Sequence, residues 1–183
     1  MAKRKRIITK KISQNIETDP YAYVVNNASV QTRKLKSEDV GFFVTIYGDK
    51  HYILRFSSED DSGKRREGIS IKETVDLIFR SIKHIIYYIF KENSFNPINF
   101  PTSTERKKRI VLVNKIDIEE DLNVVVEIHF DSIDVYEFTI ITAMKIDNFN
   151  IADGQFYLEF YKENSILKQF VRKEERIVDR FDN

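Results

Sequence analysis

The sequence predicts an α+β domain: an antiparallel sheet of five to seven strands, one long helix over residues 70–91 packed on it, and a C-terminal amphipathic helix over residues 165–181. Three observations carry that prediction. A helix-start signal at Ser70 opens a long stretch of apolar residues at 3-4 spacing. Three segments between residues 110 and 146 repeat apolar residues at period two, the rhythm of strands. A last apolar stripe, Leu167, Phe170, Val171, Ile177, Val178 and Phe181, fits one face of a helix.

The elements follow in order. Residues 1–16 form a basic arm and residues 17–183 the single domain; 183 residues is an ordinary length for one. Tyr21 to Val25 reads as a short edge strand, with Pro20 just before it. Phe42, Val44 and Ile46 alternate with Phe43, Thr45 and Tyr47, and Tyr52, Leu54 and Phe56 with His51, Ile53 and Arg55, which predicts a hairpin over residues 41–57 turning at Gly48. A polar loop over residues 57–68 carries Glu59-Asp60-Asp61 and then Lys64-Arg65-Arg66. Ser70 and Glu73 then form a capping box, in which each side chain satisfies a free backbone N–H. Ile71, Val75, Ile78, Ile82, Ile85 and Ile89 continue it as a helix to about Lys91.

Ile110, Leu112, Asn114 and Ile116 begin a meander. Val124, Val126, Ile128 and Phe130 continue it, and Phe138, Ile140, Thr142, Met144 and Ile146 complete it. Phe156, Leu158 and Phe160 mark a further strand.

Composition narrows the chemistry. The chain is 42% hydrophobic and 32% charged, a globular balance. With 0 Cys there is no thiolate metal site and no cysteine nucleophile. The 5 Gly form no phosphate-binding loop, and neither a GxSxG elbow nor an HExxH motif occurs. No metal and no cofactor are expected. The N-terminus has no apolar signal core and no stretch is long enough for a membrane helix, so the expected location is the cytoplasm, without membrane contact. Abundant Ile, Asn and Lys beside scarce Ala point to an AT-rich source, a microbe, its phage or a mobile element.

Four clusters are candidates for function. Matching apolar faces across residues 122–146 sets Phe130 opposite Tyr136 and Ile128 opposite Phe138, which places His129 opposite Glu137 and Glu127 opposite Thr139. An imidazole beside carboxylates is the equipment of general acid–base catalysis; cross-strand opposite charges are also ordinary sheet stabilisers. Arg80, His84, Tyr87, Tyr88 and Lys91 share a helix face that would grip a phosphate or stack on a base, or else lie solvated. Lys168, Arg172, Arg176 and Arg180 stand four apart, one cationic row on the predicted last helix.

The fourth is a pair of cationic runs. Lys3, Arg4, Lys5, Arg6, Lys10 and Lys11 hold six of the 30 basic residues and none of the 29 acidic ones, so the body is net acidic. Arg106, Lys107, Lys108 and Arg109 form the second run. Cations concentrated on an acidic body are the footprint of directed anion contact.

Arg109-Ile-Val-Leu-Val, Val124-Val-Val-Glu-Ile-His-Phe and Glu137-Phe-Thr-Ile-Ile-Thr-Ala-Met, after a helix containing His84-Ile85, resemble the small-ribonuclease superfold of barnase, colicin and RelE-type toxins. The resemblance implies a curved antiparallel sheet whose concave face carries catalytic His, Glu, Arg or Thr, and makes His129, Glu127 and Thr139 the first residues to test. The expected function is nevertheless that of a non-enzymatic interaction protein, an accessory or inhibitory factor docking on nucleic acid or a nucleoprotein machine. The alternatives are a metal-independent, toxin-like ribonuclease built on the His129 hairpin, and a homo-oligomeric structural protein joined through an edge strand or the last helix.

Overall fold

A computed structural model describes residues 21–57, 69–102, 106–115 and 120–182. The fold is α+β, with one 21-residue helix on an open mixed sheet. The strands are β1 (Thr32–Asp39), β2 (Phe43–Asp49), β3 (Ile98–Asn99), β4 (Ile110–Asn114), β5 (Leu122–Ser132), β6 (Val135–Lys145), β7 (Phe156–Tyr161), β8 (Asn164–Val171) and β9 (Glu174–Phe181). The helices are α1 (Lys50–Ser57) and α2 (Ile71–Lys91).

The sheet order is β1-β2-β6-β5-β4-β7-β8-β9, with β3 beside β5. The expected sheet of five to seven antiparallel strands is therefore corrected to nine strands, of which β2·β6, β4·β7 and β3·β5 pair in parallel. Parallel neighbours need long crossovers, and here α1 and α2 lie in the crossover from β2 to β6.

The capping box at the start of α2 is present. Ser70 Oγ accepts from the Lys72 N–H at 3.2 Å, and the Ser70 N–H donates to Glu73 Oε2 at 2.9 Å. Ile78, Ile82 and Ile85 pack on Val124, Val126, Ile128, Phe138 and Ile140, the inner residues of β5 and β6. The meander register follows the face-matching argument, with Phe130 opposite Tyr136, Ile128 opposite Phe138 and Val126 opposite Ile140. The opposite face has a smaller apolar cluster at one end, built from Val111, Val113, Val125, Ile151 and Tyr157.

Three expectations are overturned. Residues 51–56 are not the second strand of a hairpin but part of α1. Asp49 ends β2 and caps the helix, its Oδ1 accepting from the His51 N–H at 2.9 Å. The short apolar run fits either period, and the cap decides it. Gly48 is also not a loop glycine. It sits in β2, where a Cβ would lie 2.7 Å from Ile53 Cδ1 and 2.8 Å from Tyr52 Cδ1, so its absence lets α1 close onto the strand.

The C-terminal helix does not exist; residues 164–181 form the β8–β9 hairpin. Arg172 and Lys173 both take positive φ, at 54° and 68°, the two left-handed positions of a tight hairpin turn. Finally, the strand expected at Tyr21–Val25 is reduced to a single bridge between Val24 and Thr32.

The core assignment is testable by truncation. Ile78→Ala, at a fully buried site, should cost about 2–5 kcal/mol in urea unfolding, whereas Phe90→Ala, at a position 85% exposed, should stay within about 0.5 kcal/mol of wild type. Equal effects would mean that the inner face of α2 is misassigned.

Candidate functional site

The polar cluster grows out of strand parity. Val124, Val126 and Ile128 face α2, so Glu127 and His129 face the other way. His129 opposes Glu137 and Glu127 opposes Thr139, as the sequence requires. Ile110 opposes Val126, which brings Arg109 alongside Glu127 on the same face. Arg109 Nε donates to Glu127 Oε1 at 2.9 Å, and His129 Nε2 lies 3.1 Å from Glu127 Oε2. Lys107 Nζ stands 3.9 Å from that same oxygen. The imidazole is thus partnered along its own strand by Glu127.

This face is not the solvated surface that the sequence suggests. The Glu127 side chain is 1% exposed and that of His129 7%. The loop between Val24 and Thr32 lies over it. Asn26 Nδ2 donates to Thr139 Oγ1 at 2.7 Å, and Asn27 donates to Glu137 Oε2 from its backbone N–H at 3.0 Å and its side chain at 2.9 Å. Asn26 Oδ1 accepts from the Ala28 and Ser29 N–H groups, each at 3.0 Å, which folds the loop tightly. Lys107 Nζ closes the arrangement by donating to the carbonyls of Asn27 and Ala28.

Burial pushes the Glu127 carboxyl up, but hydrogen bonds from His129 and Arg109 and the charges of Arg109 and Lys107 outweigh it and hold the group below the ordinary carboxylate range. An ionised carboxylate so engaged is a poor base near neutral pH, and it ties β4, β5 and the loop together. Glu137 and Thr139, two of the four candidate catalytic residues, are spent on the asparagines.

The second cationic run flanks this cluster. Asn99 pins it: its Oδ1 accepts from the Lys108 N–H at 2.7 Å, and its Nδ2 donates to the carbonyls of Lys108 and Ile128, each at 3.0 Å. Arg106 is exposed, and the Arg109 side chain is half exposed. Lys3, Arg4, Lys5, Arg6, Lys10 and Lys11, and the charged loop at Glu59 to Arg66, lie outside the described residues.

The other two candidates change character. The face of α2 carrying Arg80, His84 and Tyr88 is not solvated; β7, β8 and β9 cover it. Tyr88 OH donates to the Ser165 carbonyl at 2.9 Å, and His84 Nδ1 lies 2.9 Å from Ser165 Oγ. The His84 ring stands edge-on to Phe160 and Phe181. Arg80 hydrogen-bonds Asn114 and lies over the Phe160 ring. Lys91 pairs with Asp179 at 2.9 Å.

The row of four cations is dispersed because this segment has the period of a strand and not of a helix. Lys168 is paired with Glu159 at 2.8 Å and Glu175 at 3.2 Å. Arg172 is in the turn, and an irregularity between Leu167 and Lys168 leaves Arg176 opposite Gln169 and Arg180 opposite Ile166, on different faces.

Sequence reasoning missed Asn26, Asn27 and Asn99, whose partners are far away in the chain. It also missed an apolar cleft beside α2. Among the described residues no three His, Asp or Glu side chains converge as a metal site, and no helix is long and apolar enough to cross a membrane. Compared with known proteins, the chain matches no family model, no curated protein and no solved structure.

The buried imidazole gives a pH signature. Burial, with help from Lys83 and Arg80, pushes the His84 pKa from 6.5 down to about 4. The folded ring is neutral where the unfolded one takes a proton, so its contribution is complete above pH 6.5 and falls as pH drops towards 4. Between pH 7 and pH 4.5 the wild type should lose roughly 2–3 kcal/mol more than His84→Gln in urea unfolding. Parallel pH profiles for the two proteins would contradict this.

Proposed function

We propose that this chain is a non-enzymatic interaction protein, a small accessory or inhibitory factor that docks on nucleic acid or a nucleoprotein assembly. The observation that carries this reading is the position of the loop from Val24 to Thr32. It follows the basic arm in sequence and is fastened by Lys107 beside Arg106–Arg109. That arrangement supports the two cationic runs acting on one side of the sheet, where an anionic backbone would meet both.

Against catalysis at the His129 hairpin stands the same loop. A general acid–base pair must reach its substrate within hydrogen-bond distance, and here Glu127 and His129 are buried beneath Asn26 and Asn27. Against self-assembly through strand edges stand charges. The outer strand β9 carries Glu174, Glu175, Arg176 and Arg180, and β1 carries Arg33, Lys34, Lys36 and Glu38. Charged edges oppose strand-to-strand addition.

One titration series separates these readings. Binding to single-stranded and duplex nucleic acid is measured against salt for the full chain and for a chain lacking residues 1–11. With about four to six phosphates contacted by the arm, its loss should flatten the log–log slope by about 0.9 per phosphate on duplex. An unchanged slope would remove the arm from the interface. RNA recovered from the same samples should be intact. Cleavage abolished by His129→Ala, a loss of about 10²- to 10⁴-fold, would instead establish the ribonuclease reading.

A further inference from the structure

An apolar cleft lies on the opposite side of the sheet from the polar cluster. It is a cleft of about 360 Å³, open to solvent, between α2 and the turn end of the sheet. Ile85, Ile89 and Phe90 form one wall, and Phe138 and Tyr136 contribute from the sheet. Phe42 lies across from α2, its ring edge-on to Tyr136 at 5.3 Å. Gly41, at φ +99°, contributes only backbone to the lining.

We propose that this cleft is a docking groove for a basic amphipathic α-helix of a protein partner. Two observations choose that occupant. First, the apolar surface runs past the cavity. Phe90 is 85% exposed at the end of α2, and Ile133, next to Asp134 in the β5–β6 turn, is 84% exposed. A small molecule filling the cavity would leave Ile133, which is outside the lining, in water and would cover Phe90 only on its cavity side. A helix, about 10 Å wide, would lay an apolar stripe along the cleft and cover them, which is how helix-in-groove recognition works.

Second, the charge at the turn end of the cleft is acidic. Asp134 is the one charged residue in its lining. Asp39, at the end of β1, is tied to the same lining: its Oδ1 accepts from the N–H of Gly41, a lining residue, at 3.0 Å. Neither turn, residues 39–42 or 131–134, contains a lysine or arginine. The cations of α2 at Lys83 and Lys91 are directed to Glu163 and Asp179, towards β8 and β9. A partner helix flanked by Lys or Arg meets complementary charge here; an acidic one is repelled.

The test uses the full chain and three probes: a Leu/Lys amphipathic helical peptide, its Leu/Glu counterpart, and decylamine as an apolar cation of cavity size. Binding is followed by anisotropy and by amide shifts. The Leu/Lys peptide should bind and shift residues around Phe90, Ile133 and Tyr136, and the Leu/Glu peptide should not. Phe90→Glu, at an exposed site, should weaken binding about tenfold or more. Asp134→Asn keeps a residue that tolerates the positive φ of this turn, and should weaken binding about three- to tenfold while reducing its salt dependence.

Several results would overturn the proposal. They are equal binding of the Leu/Glu peptide, binding indifferent to Phe90→Glu, no binding by either peptide, or cleft shifts with decylamine alone. A concentration-dependent dimer abolished by Phe90→Glu would give the groove to a second copy. Cleft shifts on replacing Lys3, Arg4, Lys5 and Arg6 by Ser would give it to the chain's own arm.

Discussion

The register of β5 against β6 is the constraint on which the rest depends. Side chains along a strand alternate faces, so a slip of one residue would turn Glu127 and His129 under α2 and put Val126 and Ile128 on the polar side. The native register buries Val124, Val126 and Ile128 against Ile78, Ile82 and Ile85, and leaves Glu127 where Arg109 can reach it. β5 also pairs β3 and β4, so its placement fixes the segment carrying Arg106–Arg109. A buried carboxylate enforces the choice, because Glu127 without its partners would be costly on either face.

The two faces then divide the surface by chemistry. One side joins Glu127, Arg109 and Lys107 to the loop of Asn26 and Asn27 and places cations at its margin. The other side holds α2 and the open apolar cleft. The groups that resembled a catalytic set serve to fasten a loop, and the groups left open are those suited to contacting partners. The role we propose assigns nucleic acid to the first side and a protein helix to the second.

Much of this was legible in the sequence because its causes are local or periodic. The Ser70–Glu73 capping box and the apolar stripe that follows it define α2, and face matching alone yields the β5–β6 register. The failures have equally physical causes. At Tyr52 to Phe56 the apolar pattern fits both periods, and the signal that decides between them is Asp49 as helix cap. At the C-terminus, Leu167 through Phe181 fit a helical stripe while an irregularity near Val178 breaks the strand alternation, and the turn residues Arg172 and Lys173 carry no turn signature. The burial of Glu127 and the asparagine latch rest on contacts more than a hundred residues apart, such as Asn26 with Thr139, which no local pattern encodes.

Glu127 is the structural tie between β4, β5 and the loop of Asn26 and Asn27. The direct test is a double-mutant cycle between Arg109 and Glu127, read by urea unfolding of Arg109→Met, Glu127→Gln and the double variant. A charge-assisted hydrogen bond to a buried carboxylate predicts a coupling of about 1.5–3 kcal/mol, with both single variants destabilised. A coupling near zero, with Glu127→Gln as stable as wild type, would mean that this buried charge does no structural work, and would return the His129 hairpin to consideration as a catalytic centre.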